Sequence, residues 1–134
     1  MTSPAGMALV PAAWGEVIDK ITILELKRAR IADAQAQANI LRELDALLAI
    51  VAERLPAPER IAAERAALAA VNAELWEVED ALRDKERAQA FDAEFVALAR
   101  AVYRKNDHRA ALKRAINLAT GSAIVEEKSY QAYA

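Results

Sequence analysis

The chain has 134 residues, enough for one domain with a single core, and with no cysteine it relies on no disulfide. Twenty acidic against eighteen basic residues leave a net charge of -2, which argues against a general affinity for nucleic acid or an acidic membrane surface. Hydrophobic residues make up 55% and aromatics only 5%, with three glycines and four prolines. That composition favours helix and leaves little turn chemistry for a sheet. No segment has the length of uncharged sequence that a membrane span needs, and no Lys or Arg precedes the short apolar run at the N-terminus as in a secretory signal, so a cytoplasmic protein is expected.

In chain order, the lead-in to Ala13 contains Pro4, Gly6 and Pro11 and is expected to be irregular or briefly extended. A first helix is expected over 15–31. Asp33 is a candidate cap for a second over 34–55, in which Ile40, Leu41, Leu44, Leu47, Leu48, Val51 and Leu55 recur at three- and four-residue steps. Pro56 and Pro58 end it, since each lacks an amide donor and disfavours helix in the residue before it. A third helix over 59–87 carries Ile61, Leu68, Leu75 and Leu82 with Val71 and Val78 between them, a coiled-coil-like seam that Glu64 interrupts and Glu79 borders. Asp92 is the candidate cap of a fourth helix over 93–120, with Phe91 and Val96 spaced as a hydrophobic staple and Gly121 as a left-handed C-cap. The tail after Gly121 is expected to be a short helix or a strap. The fold expected is all-α: one domain over 1–134, an antiparallel four-helix bundle with a short N-terminal lead-in and a C-terminal strap.

Polar residues stand where apolar ones belong. On the first helix Val17, Ile21, Leu24 and Ile31 share one side, and Ile23 with Leu26 the nearly opposite one. Glu16, Lys20 and Lys27 lie on one line between them, and Asp19 lies beside Ile23 and Leu26. Either the lysine stems pass over a packed surface, with Glu16 and Lys20 as an ordinary four-step pair, or the line is a charged lining. On the fourth helix the stripe Phe95, Leu98, Ala99, Val102 continues into Asn106, Arg109, Lys113 and Asn117. Buried cations are costly unless paired, so this face must meet carboxylates, an anionic ligand or solvent in a cleft. Glu79, Asp80, Glu16 and Asp19 are the acids available, and Glu79 is expected to be one whose loss strands a buried cation.

Several chemistries find no support. His108 is the only histidine, so neither a zinc or haem site nor a Ser/His/Asp triad has its usual residues, and no metal or other cofactor is expected. Glu16 with Asp19, and Glu77 with Asp80, resemble the Mg²⁺-binding element of all-α nucleotide pyrophosphohydrolases. Twenty acids in a short chain produce such spacings by chance, and the paired-Glu element on a preceding helix is not evident. There is no glycine-rich phosphate loop.

The segments Ile18–Lys27 (IDKITILELK), Asn72–Leu82 (NAELWEVEDAL), Leu98–Asn117 (LARAVYRKNDHRAALKRAIN) and Gly121–Tyr130 (GSAIVEEKSY) make the chain recognisable. It resembles a family of small uncharacterised bacterial proteins, a domain of unknown function, whose genes often accompany glycosyltransferases and surface-polysaccharide loci. The resemblance spans nearly the whole chain. It marks Asp19, Lys20, Glu25 and Lys27, then Trp76, Glu79, Asp80 and Arg83. Further along it marks Tyr103, Asn106, Asp107, Arg109, Lys113 and Asn117, and in the tail Glu126, Glu127, Lys128 and Tyr130. In the family a Ser precedes the aromatic-Gly pair at the start of the first helix; Ala13 stands there in this chain, so a hydroxyl cap is missing.

Together these features suggest an accessory protein of surface-glycan metabolism that binds a phosphorylated or carboxylated small molecule. Its cleft is expected between the first, third and fourth helices, lined by Lys20, Lys27, Asn106, Arg109, Lys113, Asn117, Glu79, Asp80 and Asp19. One alternative is a small enzyme on a phosphorylated substrate, with Arg109, Lys113 and Lys20 as clamps and Glu79 or Asp80 as base or Mg²⁺ ligand. Another is an assembly module that docks a partner protein's helix. A two-fold homodimer is expected as well, because the first helix is apolar on two sides.

Overall fold

The computed structural model describes residues 6–133, so the expectation for Pro4 and its neighbours lies outside the described residues. Four helices follow one another: α1 (Trp14–Arg30), α2 (Ala34–Arg54), α3 (Ala62–Ala88) and α4 (Ala93–Thr120). There is no strand among the described residues. The end signals act as their chemistry requires. Asp33 and Asp92 accept hydrogen bonds from the amides of Ala36 and Phe95, satisfying donors that the first turn of a helix leaves open. Gly121 takes the left-handed conformation (φ 63°), and the Ser122 amide donates back to the Asn117 carbonyl at 2.9 Å to close α4.

The third helix begins later than expected. Ala57 is itself left-handed (φ 49°), and Pro58 then opens a 3₁₀ turn to Ile61 before α-geometry starts at Ala62.

The helices alternate in direction, and α1 occupies the middle, with α2, α3 and α4 all packed on it. This position accounts for its two apolar sides. The buried arc of α1 runs through Leu24, Ile21, Ile18 and Thr22 to Asp19, joining the two sides through Ile18 and Thr22. Ile23 and Leu26 are half-buried. A corner helix would bury one stripe; a central one must bury most of its circumference. Around Ile18 and Ile21 the core gathers Ile40, Leu44, Val51 and Leu55 from α2 and its end, Ile61 and Leu68 from the chain entering α3, and Ile116 from α4.

Two positions test this packing. Gly15 lies where α1 crosses α4, and a Cβ there would overlap the Lys113 carbonyl group. Alanine is the better helix former by about 1 kcal/mol, yet overpacking costs about 1–3 kcal/mol and backbone has no rotamer with which to yield. Gly15→Ala is therefore expected to destabilise the protein, by up to about 2 kcal/mol net, read as a lowered urea midpoint.

Glu64 lies in the first turn of α3, at an interleaved position of the seam, and its Oε2 is buried with no hydrogen-bond partner among the described residues. Glu64→Leu is expected to raise the thermal midpoint, by about 1 kcal/mol of stability, because it removes an unsatisfied carboxylate oxygen and completes the seam.

Candidate functional site

The polar half of α4 lies against the first half of α1, and the two helices run in opposite directions. Three contacts join them in sequence. Arg109 grips Asp19 with two nitrogens: Nε donates to Oδ1 at 2.9 Å, and Nη2 donates to Oδ2. One turn on, Lys113 meets Glu16 at 2.6 Å. A further turn on, Asn117 Oδ1 accepts from the Gly15 amide at 2.7 Å. The last contact supplies the cap that Ala13 lacks. Ser122 adds to it, since its hydroxyl accepts from the Trp14 amide at 3.3 Å and donates to the Ile124 carbonyl at 2.7 Å. The start of α1 is thus capped by side chains from the other end of the chain.

Asp19 is only 1% exposed and is held from two helices, because Asn72 of α3 donates to Oδ1 at 2.9 Å. The Asn72 amide lies 3.0 Å from the Thr22 hydroxyl, which in turn donates to the Asp19 carbonyl oxygen. A buried carboxylate with these partners is compensated. These bonds also hold the Arg109 guanidinium above its ordinary pKa, against the desolvation that would lower it.

The other face of this polar stripe is open. After Ser122 the chain runs back along α4 without regular structure, forming a strap tied by side chains. Glu126 reaches Lys128 at 2.7 Å and Lys113 at 3.7 Å. Arg114 meets Glu127 at 3.2 Å, and the Tyr133 hydroxyl donates to Asp107 at 2.6 Å. Lys128 first, and Lys113 next, hold the Glu126 carboxyl below its ordinary pKa, while Glu126 raises that of Lys128. Between strap and α4 lies a groove of about 950 Å³, onto which Arg109, Lys113, Lys128 and Asn106 open beside Tyr103 and Tyr130. A second hollow of about 310 Å³ adjoins it, sharing Lys113 and Lys128 and reaching Glu16 and Asn117.

Residues 9–134 match DUF6165, a family of unknown function. The chain belongs to that family. No curated protein and no solved structure matches it.

Of the residues expected to line a cleft, the structure brings together Asp19, Asn106, Arg109, Lys113 and Asn117. It places four elsewhere. Glu79 and Asp80 are exposed, and the nearest cation to Glu79 is Arg83, 4.0 Å away on its own helix. Glu79 is at the edge of the α3 seam, where its tip reaches water, so it strands no buried cation. Lys20 is exposed and pairs with Glu43 of α2 at 2.8 Å; Glu16 and Lys20 reach to opposite neighbours, not to each other. Lys27 is half-buried, and no carboxylate pairs with it among the described residues. Because the buried arc of α1 turns through Ile18 and Thr22, the Glu16, Lys20, Lys27 line is left on the outer side. α3 contributes Asn72, not acids, and the groove lies between α4 and the strap. Tyr103 of α4 and Lys128 and Tyr130 of the strap were marked only by the family resemblance, and Tyr133 not at all; for the three strap residues the reason is that an irregular segment has no periodicity from which its direction can be read.

Asp19→Ala is expected to lower stability by about 3 kcal/mol, because Arg109 and Asn72 both lose their acceptor. Asp19→Leu combined with Arg109→Met should cost clearly less than the single change. A double-mutant cycle in urea measures the difference.

Proposed function

We propose that the protein binds a small anion, a phosphorylated or carboxylated molecule, in the groove between α4 and the strap. The observation that carries this reading is the convergence of Arg109, Lys113 and Lys128 on one open groove. Asp19 engages Nε and Nη2 of Arg109, and a guanidinium has five N–H donors, so donors remain for a ligand. Lys113 is fixed in place by Glu16 and retains donors in the same way. Arg109 and Lys113, held in place by Asp19 and Glu16, are preorganised, which lowers the ordering cost of binding.

The reading concerns binding, not turnover. Glu79 and Asp80, the acids offered as base or Mg²⁺ ligand, lie outside the groove, while Glu16 and Asp19 are each engaged by a different cation. No described helix is long and apolar enough to cross a membrane. The accessory role in bacterial surface-glycan metabolism that we propose rests on the resemblance in the four sequence segments, and the cytoplasmic setting on the sequence pattern of the N-terminus and the lack of a long apolar segment. The groove needs no second copy of the chain, since α1, α4 and the strap supply every side chain named. α1 meets three helices of its own chain, so its two apolar sides no longer call for the expected dimer.

A thermal-shift series with inorganic phosphate, sugar phosphates and nucleoside diphosphates tests the reading. A ligand at about 100 times its Kd stabilises by about 2.7 kcal/mol, well above the resolution of the method. Arg109→Met with Lys113→Met should abolish the shift. If nothing shifts the wild type and the double variant is the more stable protein, the stripe is purely structural and the proposal falls.

A further inference from the structure

The strap places two of its side chains where a ligand's chemistry would go. The Glu126 carboxylate sits between Lys128 and Lys113, at 2.7 and 3.7 Å, as a resident anion on the cations that the binding reading invokes. Further along, the Tyr133 ring lies against Tyr103, with centroids 5.0 Å apart and planes tilted by 60°. On one tether, an anionic group thus occupies the smaller hollow and a flat ring the groove that adjoins it, with Lys113 and Lys128 lining both. Little holds the tether down. The strap has no helix or strand, and Tyr130 and Tyr133 are exposed, so its contacts are mainly surface ion pairs and one phenol hydrogen bond, which are individually weak.

From this arrangement we infer that the groove accepts a phosphate ester carrying a flat ring, of the nucleoside diphosphate class, and that Glu126 and Tyr133 stand in for its phosphate and its ring until it arrives. The inference rests on the anion-binding reading and adds the ring. Phosphate is the stronger partner for Arg109, Lys113 and Lys128, because it presents more acceptor oxygens and more charge than one carboxylate. Tyr103 offers its face to any base, and stacking of this kind tolerates the identity of the ring. The groove of about 950 Å³ and the adjoining hollow of about 310 Å³ have room for both parts at once.

Calorimetric titration of the full chain with uridine diphosphate, inorganic pyrophosphate and uridine separates the contributions. The diphosphate ester should bind about tenfold tighter than pyrophosphate, the effect of stacking one base on an aromatic side chain. Tyr103→Ala should remove that preference and leave pyrophosphate binding unchanged, whereas Tyr103→Phe should keep it. Tyr103 is exposed, so its truncation leaves the core intact. Glu126→Gln should tighten both ligands several-fold by removing the resident charge. Equal affinity for uridine diphosphate and pyrophosphate, or a preference that survives Tyr103→Ala, overturns the ring while the anion reading stands. Weaker binding by Glu126→Gln overturns its part as a stand-in. If neither phosphate compound binds wild type or Glu126→Gln, the phosphate-ester inference falls, and the thermal-shift series decides the anion reading separately.

Discussion

The close approach of α1 to α4 at Gly15 is the constraint on which the rest of the structure depends. With no side chain at that position, the backbone of α1 comes against the Lys113 carbonyl, and only then do Asn117 and Ser122 reach the first amides of α1. The same approach sets Lys113 opposite Glu16, and Arg109 opposite Asp19. Moved apart by one side chain, α1 would lose its cap and two ion pairs together. A helix whose own N-cap residue is alanine depends on a partner to begin where it does.

The energetic character of this contact differs along its length. Asn117 and Ile116 are buried at the Gly15 end, Lys113 is largely enclosed, and Arg109 retains an open side. At the closed end Asn117 Oδ1 is engaged by the Gly15 amide and acts as structure. Polar groups at the open end have partners on one side only. An ion pair sealed within a core contributes little net stability, because desolvation offsets the attraction. One that opens onto a groove keeps hydration and free donors. The gradient from Asn117 to Asn106 is therefore also a gradient from cap to candidate site.

Helix limits were legible in the sequence because they rest on local chemistry. Asp33 and Asp92 cap, Pro56 ends α2, and Gly121 closes α4, each through groups within a few residues of itself. The polar turn of the α4 stripe was legible for the same reason: a periodic pattern broken by Asn106, Arg109, Lys113 and Asn117 needs no tertiary knowledge to be seen. Which acids answer those cations depends on how helices cross. Glu79 and Asp80 were plausible by charge and failed by position, since the α3 seam leaves them at its rim. Asp19 was named among the candidates, but its buried partner Asn72 was not, because a single amide inside an apolar seam resembles any other polar interruption. The central place of α1 was likewise hidden: two apolar sides suit a second copy of the chain as well as a third helix.

The strap joins the two ends of this logic. Its root, from Gly121 to Ile124, is fixed by the left-handed turn at Gly121, by the Ser122 amide on Asn117 and by the Ser122 hydroxyl on Trp14 and Ile124. From Glu126 onward it is held by ion pairs, by one phenol hydrogen bond and by a ring contact at the surface. The residues that cap α1 therefore lie upstream of those that cover the groove. Displacing Glu126 from Lys113 and Tyr133 from Asp107 would leave the Trp14 and Gly15 amides satisfied. The fold pays little for opening the groove, because the part of the chain that must move is not the part that holds α1 against α4.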